Sequence, residues 1–343
     1  MCGIVGYIGK RKAYPILIKG LKRLEYRGYD SAGVAIISDD QQLNVYKTKG
    51  KVSDLENFVT QKDISGTIGI AHTRWATHGE PCSANAHPHY SSSEKLALIH
   101  NGIIENYGAL KERLIAKGYT FASETDTEVL VKLIDSCYQG EPLQALQAAL
   151  AKVRGSYALA VLFKDYPDTI FAVKRESPLI VGWGEGENFV ASDIPALLKY
   201  TRSYSVLEEG DMAVCTAQGI RFYNEFGEAV EREKLTADWD MEAAEKGGYP
   251  HFMLKEINEE PAAITATVSP RVENGLPELR IPELTDEKLR SIGTVHLVGC
   301  GTAMHAGMVG KTAIEALARV PAQVDIASEF RYRDPILKPE DLV

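Results

Sequence analysis

Short apolar runs and amphipathic segments follow one another along the first two thirds of the chain. The apolar runs predict strands at Ile4–Ile8, Gly33–Ile37, Thr67–His72 and Lys95–His100. Helical periodicity predicts helices at Ala13–Leu24, Asn106–Lys117, Asp126–Tyr138 and Pro142–Val153. Six further strands are predicted at Ser156–Phe163, Thr169–Lys174, Leu179–Gly182, Phe189–Ala191, Val206–Leu207 and Met212–Cys215. Because the helices come in two batches, the pattern favours layered sheets with helices outside over a repeating βαβ unit.

The pattern changes between about Glu231 and Asp286, where charged residues and prolines replace the apolar runs. We predict a linker there, without a good strand, that carries a helix around Leu254–Glu260. Beyond the linker we predict a strand at Thr294–Val298, a helix at Met304–Arg319 and a strand at Gln323–Ala327. This order makes one βαβ unit of a parallel sheet.

Composition and charge restrict the class of protein. The 343 residues are 45% hydrophobic and 25% charged, which excludes a disordered chain or a coiled coil and predicts two domains. The net charge of -9, without a block of like charges, argues against nucleic acid or an anionic membrane as a partner. No apolar stretch is long enough to span a bilayer, and no signal peptide opens the chain. Five cysteines without a CxxC pair suit reduced thiols, so we expect a soluble cytoplasmic protein.

Cys2 directly follows the initiator methionine and precedes Gly3. Removal of Met1 would leave a thiol and a free α-amino group on one residue, and the amine could accept the thiol proton without a histidine. The alternative is an ordinary buried cysteine at the start of a strand.

The segment from His72 to Gly79 leaves a strand and enters a loop. Arg74 could bind a carboxylate with two hydrogen bonds, and Trp75 could close over a ligand; the alternative is a surface loop with a stacked Arg-Trp pair. The histidines His78, His87 and His89 suggest a metal, but they lack a partner at a convincing ligand spacing, so we expect no metal.

Two further segments leave structural and functional interpretations open. Asn101-Gly102 is a strong hairpin-turn signal, yet an Asn amide and a glycine N–H could also form an oxyanion hole. Thr125 and Glu128 form a predicted capping box. Asp126 in that first turn could merely suit the helix dipole, or it could receive a ligand ammonium group.

A third such segment, Gly299-Cys300-Gly301-Thr302, lies between a predicted strand and helix and suits either a phosphate site or a tight turn.

Together these segments closely resemble the glutamine:fructose-6-phosphate aminotransferase (glucosamine-6-phosphate synthase) family. Cys2-Gly-Ile-Val-Gly6 alone resembles the wider class II glutamine amidotransferases. The more specific matches are Arg27-Gly-Tyr-Asp-Ser-Ala-Gly33, His72-Thr-Arg-Trp-Ala-Thr-His-Gly79, His100-Asn-Gly-Ile-Ile-Glu-Asn106, Ser123-Glu-Thr-Asp-Thr-Glu128, Val190-Ala-Ser-Asp193 and Ala327-Ser-Glu-Phe-Arg-Tyr-Arg333.

The resemblance implies a role for each matched residue. Cys2 resembles the thiol that attacks the glutamine amide, and Asn101 and Gly102 resemble the oxyanion hole. Arg74 would hold the glutamine carboxylate and Asp126 its ammonium group. The remaining matches are a loop that closes over glutamine (Thr77, His78 and Gly79), a gate for ammonia (Trp75) and a supporting residue near the nucleophile (Arg27). Gly301 and Thr302 are weaker sugar-phosphate candidates, because Ala303 stands where family members often have serine.

The resemblance also implies an architecture and partners. We expect an α+β N-terminal nucleophile (Ntn) hydrolase sandwich at 1–240, a linker at 241–289 and an incomplete α/β sugar isomerase domain at 290–343. The full protein would transfer the amide nitrogen of L-glutamine to fructose 6-phosphate, without a cofactor, as a homodimer, while this chain would retain at most glutamine hydrolysis.

Two alternatives remain open beside this interpretation. One is another class II amidotransferase, such as amidophosphoribosyltransferase; the other is a non-catalytic phosphosugar-binding module. Because the isomerase sheet would be unfinished, we also expect marginal order or association after about residue 290.

Overall fold

A computed structural model describes residues 2–76, 78–238, 247–278 and 280–343. The chain divides into two compact units, one that ends at Lys255 and one that spans Glu256–Val343. This division does not test the predicted domain limits, which stay predictions. No helix in the described ranges is long and apolar enough to cross a membrane.

The first unit is built from two antiparallel sheets. Its strands in chain order are β1 (Gly3–Ile8), β2 (Ser31–Ile37), β3 (Leu43–Lys49), β4 (Ile68–Arg74), β5 (His89–Tyr90), β6 (Leu96–Ile104), β7 (Gly155–Phe163), β8 (Ile170–Arg175), β9 (Ile180–Trp183), β10 (Asn188–Ala191), β11 (Ser203–Val206), β12 (Met212–Cys215), β13 (Ile220–Tyr223), β14 (Ala229–Val230) and β15 (Leu235–Thr236). One sheet has the order β15-β11-β9-β10-β1-β4-β2-β3, and the other has the order β14-β13-β12-β8-β7-β6-β5.

Helices cover the outer face of each sheet. They are α1 (Ala13–Leu24), α2 (Val52–Phe58), α3 (Tyr107–Ile115), α4 (Asp126–Cys137) and α5 (Pro142–Leu150). Buried side chains of α1 and α2 pack on the sheet of β1, and those of α3, α4 and α5 pack on the sheet of β6. A third apolar cluster fills the space between the sheets. The four layers confirm the predicted α+β sandwich with helices outside.

The alternation of side chains along β4 and β6 determines which residues reach the site. In β4, Ile68 and Ile70 point into the core between the sheets, so His72 and Arg74 continue the same face. In β6, Ala97 and Ile99 do the same, and Asn101 continues that face. Both apolar faces therefore end in polar side chains at one end of the core.

The second unit contains the predicted βαβ motif. The chain enters it through α6 (Phe252–Val268) and continues with β16 (Val272–Glu273), β17 (Leu276–Pro277), α7 (Asp286–Ser291), β18 (Val295–Gly299), α8 (Thr302–Leu317), β19 (Ala322–Ile326) and α9 (Ala327–Tyr332). Strands β18 and β19 pair in parallel, as predicted. Helix α8 has no buried residue among those described, and Val309 and Leu317 are well exposed. The expectation of marginal order after residue 290 stays a prediction.

The segment 231–286 differs in detail from its prediction. Its described residues contain three strands, β15, β16 and β17, each of only two residues, where no good strand was predicted. The helix predicted around Leu254–Glu260 runs to Val268 and includes Pro261. Proline removes the donor for the carbonyl of Ile257, but this part of the helix is exposed and water can replace the lost bond.

Candidate active site

A cavity of about 380 Å³ opens where β1 begins and where β4 and β6 end. Gly3 pairs with Thr73, so the start of β1 lies beside the end of β4. The predicted residues that line the cavity are Cys2, Arg27, Arg74, Trp75, Asn101, Gly102 and Asp126. The structure therefore brings together side chains that lie up to 124 positions apart in the sequence, from 2 to 126.

The Cys2 thiol lies against the first residue of the loop after β4. Its Sγ accepts a hydrogen bond from the Trp75 N–H at 3.1 Å and donates to the Trp75 carbonyl oxygen at 3.5 Å. Burial raises the pKa of the thiol above its usual value, although the Trp75 N–H and the Arg74 charge act in the opposite direction. The thiol is therefore protonated near neutral pH, and a base must accept its proton before it can act as a nucleophile.

Asn101 lies inside β6 and not in a hairpin turn. Asn101 and Gly102 pair with Ala158 and Tyr157 of β7, so the hairpin interpretation of this dipeptide is wrong. The Asn101 side chain donates from Nδ2 to the Cys2 carbonyl oxygen at 3.1 Å. Its amide is therefore held next to the residue that carries the thiol.

Gly102 has a backbone that only glycine adopts easily. Its φ is 127°, and a Cβ at this position would lie 2.1 Å from the Ser156 carbonyl oxygen of β7. The N–H groups on either side of it along the strand point away from β7: His100 donates to His87 Nδ1 at 3.4 Å, and Ile104 donates to Asp126 Oδ2 at 2.8 Å. Strand alternation gives the Gly102 N–H the same direction, toward the cavity.

Arg74 and Asp126 place opposite charges on the cavity wall. The Arg74 guanidinium is buried and contacts the carbonyl oxygens of His78 and Gly79, the latter at 3.1 Å. Its Nη1 lies 4.0 Å from Asp30 Oδ1 and has no hydrogen-bond partner within the described residues. A buried donor of this kind is suited to an anionic group of a ligand.

The N-terminus of α4 fixes Asp126. Thr125 caps the helix by accepting a hydrogen bond from the Glu128 N–H at 3.2 Å, as predicted. The Glu128 carboxylate accepts from the backbone of Ala122 and Ser123 and pairs with Lys132 at 2.6 Å. Burial opposes ionisation of Glu128, but these hydrogen bonds lower the pKa of its carboxyl group. The first turn of α4, including Asp126, is thus tied down by a buried ionic network.

Arg27 and Trp75 form one side of the cavity. Arg27 Nη1 donates to Asp193 at 3.0 Å, and Asp193 also accepts from the Tyr26 hydroxyl at 2.5 Å. Trp75 is 55% exposed and packs over Gly28, where a Cβ would lie 2.7 Å from the indole ring. The exposed ring therefore stands at the rim of the cavity.

His78 and Gly79 are described by the structure but do not line the cavity. His78 contacts the edge of the Tyr107 ring, with 5.2 Å between ring centroids. Gly79 has a φ of 73° and would place a Cβ 2.5 Å from the Asn85 amide. Thr77 lies outside the described residues. Gly301 and Thr302 lie in the second unit, where Gly301 precedes the first turn of α8 with a φ of 58°.

Buried histidines form the floor beneath the cavity. His72, His87, His89 and His100 are at most 5% exposed, and burial lowers the pKa of each, for His72 to about 3. The His87 ring stacks on His72 at 4.3 Å and meets His89 edge-on at 5.1 Å. In the described part of the chain, no group of His, Cys, Asp and Glu is arranged to hold a metal ion. These rings are instead uncharged packing and hydrogen-bonding groups.

Three residues that support the site lie within matched motifs but were given no role from the sequence: Asp30, His72 and Asp193. Asp30 accepts hydrogen bonds from the Ala76 N–H and the Ser31 hydroxyl and so shapes the loop after β4. Asp193 holds Arg27, and His72 contacts Asn101. The alternation of side chains in β4 could have found His72, because it puts that ring on the same face as Arg74. Asp30 and Asp193 have no comparable local signal.

Comparison with known proteins gives a consistent result. Residues 72–199 match the family described as "Glutamine amidotransferase domain". Among curated proteins, glutamine–fructose-6-phosphate aminotransferases (isomerizing) are similar along the whole chain. The relative from Bacteroides thetaiotaomicron is 58% identical over 100% of this chain and 57% of its own length. The relative from Clostridium acetobutylicum is 52% identical over 100% of this chain and 56% of its own length. The chain thus spans a little over half the length of these relatives.

Solved structures agree on the fold. The enzyme titled "Structure of the allosteric regulatory enzyme of purine biosynthesis" has a TM-score of 0.59 and 27% identity, over 65% of this chain and 49% of its own. Glutamine phosphoribosylpyrophosphate amidotransferase from B. subtilis has a TM-score of 0.59 and 20% identity, over 94% of this chain and 65% of its own. The first unit has the fold of an Ntn amidotransferase, as predicted.

Because the histidines are buried and uncharged, we expect the stability of the fold to decrease as pH decreases. His72, His87 and His89 each bind a proton in the unfolded chain below about pH 6.5, but their lowered pKa values keep them neutral in the folded chain. Their contribution is therefore fully present above pH 6.5 and is lost as pH falls. We expect each of these three to add about 1.4 kcal/mol per pH unit to the pH dependence of the unfolding free energy near pH 5.

The matched variant is His89→Gln, measured by urea unfolding at pH 5, 6 and 7. This substitution should reduce the slope of the unfolding free energy against pH by the contribution of one histidine, about 1.4 kcal/mol per pH unit near pH 5. An unchanged slope would contradict the uncharged state of His89 in the fold.

Gly102→Ala should destabilise the chain more than Gly140→Ala. Both glycines have positive φ, and such strain costs about 1 to 3 kcal/mol for alanine. A Cβ at Gly140 meets nothing within 4 Å, whereas one at Gly102 collides with the β7 backbone. Urea unfolding of the two variants separates the cost of backbone strain from the cost of the steric collision. An equal loss of unfolding free energy in both variants would contradict the close approach of β6 and β7.

Proposed function

We propose that the first unit of this chain hydrolyses the side-chain amide of L-glutamine. The premise is that the chain carries a glutamine amidotransferase domain and is homologous along its length to part of the glutamine–fructose-6-phosphate aminotransferases. One observation carries the proposal. The thiol of the second residue shares a cavity with an amide donor, a buried guanidinium and a buried carboxylate. These are the groups that an enzyme needs to bind an amino acid and attack its side-chain amide.

The charges of the cavity fit the backbone groups of glutamine. Arg74 would bind the α-carboxylate through Nη1, which makes no hydrogen bond within the described residues, and Asp126 would bind the α-ammonium group. Both side chains are at most 4% exposed, so their ion pairs with substrate would form in a medium of low dielectric. The side-chain amide of the bound glutamine would then extend toward Cys2.

The reaction requires that Met1 is removed. The freed α-amino group of Cys2 accepts the thiol proton, and the thiolate attacks the amide carbon of glutamine. Asn101 Nδ2 and the Gly102 N–H stabilise the negative oxygen of the tetrahedral intermediate. The intermediate collapses to a γ-glutamyl thioester, and the protonated amine of Cys2 returns its proton to the departing ammonia. Water then hydrolyses the thioester to glutamate and restores the thiol.

In the full-length protein, we propose that the ammonia reacts with fructose 6-phosphate and that the product is glucosamine 6-phosphate. The identity of 52–58% to aminotransferases of this specificity supports this branch over that of the phosphoribosylpyrophosphate amidotransferase from B. subtilis, which is 20% identical. The exposed indole of Trp75 at the cavity rim is suited to gate ammonia, and Thr77, His78 and Gly79 would close over glutamine. Arg27 would support the cavity wall.

The remaining parts of the proposal concern the second unit and the assembly. Gly301 and Thr302 would contribute to a sugar-phosphate site, in a domain that begins near residue 290. We propose that the full-length protein is a cytoplasmic homodimer and needs no cofactor.

Labelling at Cys2 tests the first step. After mass spectrometry has shown that Met1 is absent, 6-diazo-5-oxo-L-norleucine should add to Cys2, and the chain should release ammonia from glutamine. Cys2→Ala should lower the rate at least 1,000-fold without changing the unfolding midpoint, because it removes the nucleophile. Cys300→Ala, an exposed thiol of the second unit, is the matched control and should leave both readouts unchanged. Processed protein that neither turns over glutamine nor reacts at Cys2 would overturn the proposal.

Asp126→Asn tests the ammonium site. The amide keeps an acceptor for the Ile104 N–H but loses the charge, so KM for glutamine should rise about 10- to 100-fold, with a smaller change in kcat. Asp168→Asn changes a carboxylate that does not line the cavity and should leave KM unchanged. Steady-state kinetics of both variants gives KM for glutamine. An unchanged KM in Asp126→Asn would contradict the assignment of Asp126 as the ammonium site.

A further inference from the structure

We propose that His72 is a positioning residue that fixes the orientation of the Asn101 side-chain amide, so that Nδ2 and not Oδ1 faces the oxyanion. This inference rests on the proposed amide hydrolysis and extends it to a residue that does not touch the substrate. The two side chains face one another across the core between the sheets. His72 Nε2 lies 2.9 Å from Asn101 Oδ1, and His72 is fully buried.

The orientation of Asn101 matters because its two ends have opposite polarity. In the observed orientation, Nδ2 offers two protons, and one of them binds the Cys2 carbonyl oxygen at 3.1 Å. The other proton remains for the negative oxygen of the intermediate. A rotation of the amide by 180° would point Oδ1 at the Cys2 carbonyl oxygen and at the oxyanion, where it would repel both.

The protonation state of His72 makes its ring a donor toward Asn101. Burial lowers the pKa of His72 to about 3, so the ring carries a single proton at the pH of most assays. If that proton were on Nδ1, the Nε2 lone pair would face the Oδ1 lone pairs at 2.9 Å. Nδ1 makes no hydrogen bond within the described residues, whereas Nε2 lies within hydrogen-bond distance of an acceptor. The proton therefore lies on Nε2 and is donated to Asn101.

The surroundings of His72 hold both the ring and its uncharged state. The ring stacks on His87, with 4.3 Å between centroids, and the Arg74 guanidinium and the His100 ring both disfavour a positive charge on His72. The Asn101 carbonyl oxygen and the His100 backbone act in the opposite direction, but burial is the larger effect. A ring whose pKa is lowered to about 3 is a weak general base, which leaves orientation of the amide as its role.

Substitutions of His72 separate this role from simple packing. His72→Leu fills a similar volume without a donor, whereas His72→Gln can place an N–H near the position of Nε2. We expect His72→Leu to lower kcat for glutamine about 100-fold, as for loss of one oxyanion donor, with KM within about 3-fold because Arg74 and Asp126 remain. His72→Gln should recover at least 10-fold of that loss.

A double-mutant cycle tests whether His72 acts through Asn101. In the background of Asn101→Ala, the further change His72→Leu should cost less than about 3-fold in kcat, because the group that His72 orients is already gone. An additive loss in the double variant would overturn the inference. So would a rise in KM with unchanged kcat, or a His72→Gln variant no better than His72→Leu.

A measurement independent of activity distinguishes this inference from the proposed function. In wild-type protein with ¹⁵N-labelled histidine, NMR should show His72 as the neutral Nε2–H tautomer, with no titration between pH 5 and 8. A charged ring or an Nδ1–H tautomer would overturn the inference even in an active enzyme. The expected tautomer in a protein without glutamine turnover would overturn the proposed function and leave the assignment of His72 intact. If His72→Leu does not fold, the inference is tested by the kcat of His72→Gln and by the tautomer of His72 in the wild-type protein.

Discussion

The close face-to-face packing of the two sheets is the constraint on which the rest of the structure depends. Side chains from both sheets fill the space between them, and several of those on the sheet of β6 are small: Ala97, Ala158, Ala160, Ala172 and Ala213. Alanines let the backbones approach, while larger residues such as Ile4 and Ile70 interlock with them from the opposite sheet. Each fully buried isoleucine contributes about 1.5 to 3 kcal/mol to this packing. A hydrogen bond of 2.9 Å across the gap, from His72 to Asn101, requires that this spacing is kept.

The polar groups of the site are held where the apolar core ends. Charges that are buried need partners, since an isolated buried ion is strongly destabilising. Asp193 holds Arg27 and Lys132 holds Glu128, and both ion pairs lie in elements that border the cavity. Arg74 Nη1 lies 4.0 Å from Asp30 and has no hydrogen-bond partner among the described residues, so a carboxylate of a ligand could complete the network. The site is thus organised before substrate binds, and substrate would satisfy a buried donor that the fold leaves without a hydrogen bond.

Much of the fold could be predicted because its inner strands are continuous apolar runs. Strands such as β1 and β4 and the helix α4 lie close to their predicted positions. Strand β3 was missed because it lies at the edge of its sheet and has a half-buried, mostly polar sequence. Asn101-Gly102 is a sequence typical of a hairpin turn, but it lies inside strand β6. Gly102 takes a positive φ and still pairs with β7. The motifs predicted which residues would touch substrate. They contain Asp30, His72 and Asp193 but gave these three no role, because their roles depend on contacts distant in sequence.

The central claim is that one cavity orients glutamine between Arg74, Asp126 and the Cys2 thiol. A crystal structure of the processed chain with bound L-glutamate, the product, tests this most directly. The account predicts the α-carboxylate within hydrogen-bond distance of Arg74 and the α-ammonium group within that distance of Asp126. The side-chain carboxylate would lie between the Cys2 thiol and the N–H groups of Asn101 and Gly102. Glutamate bound in the reverse orientation, or outside this cavity, would contradict it.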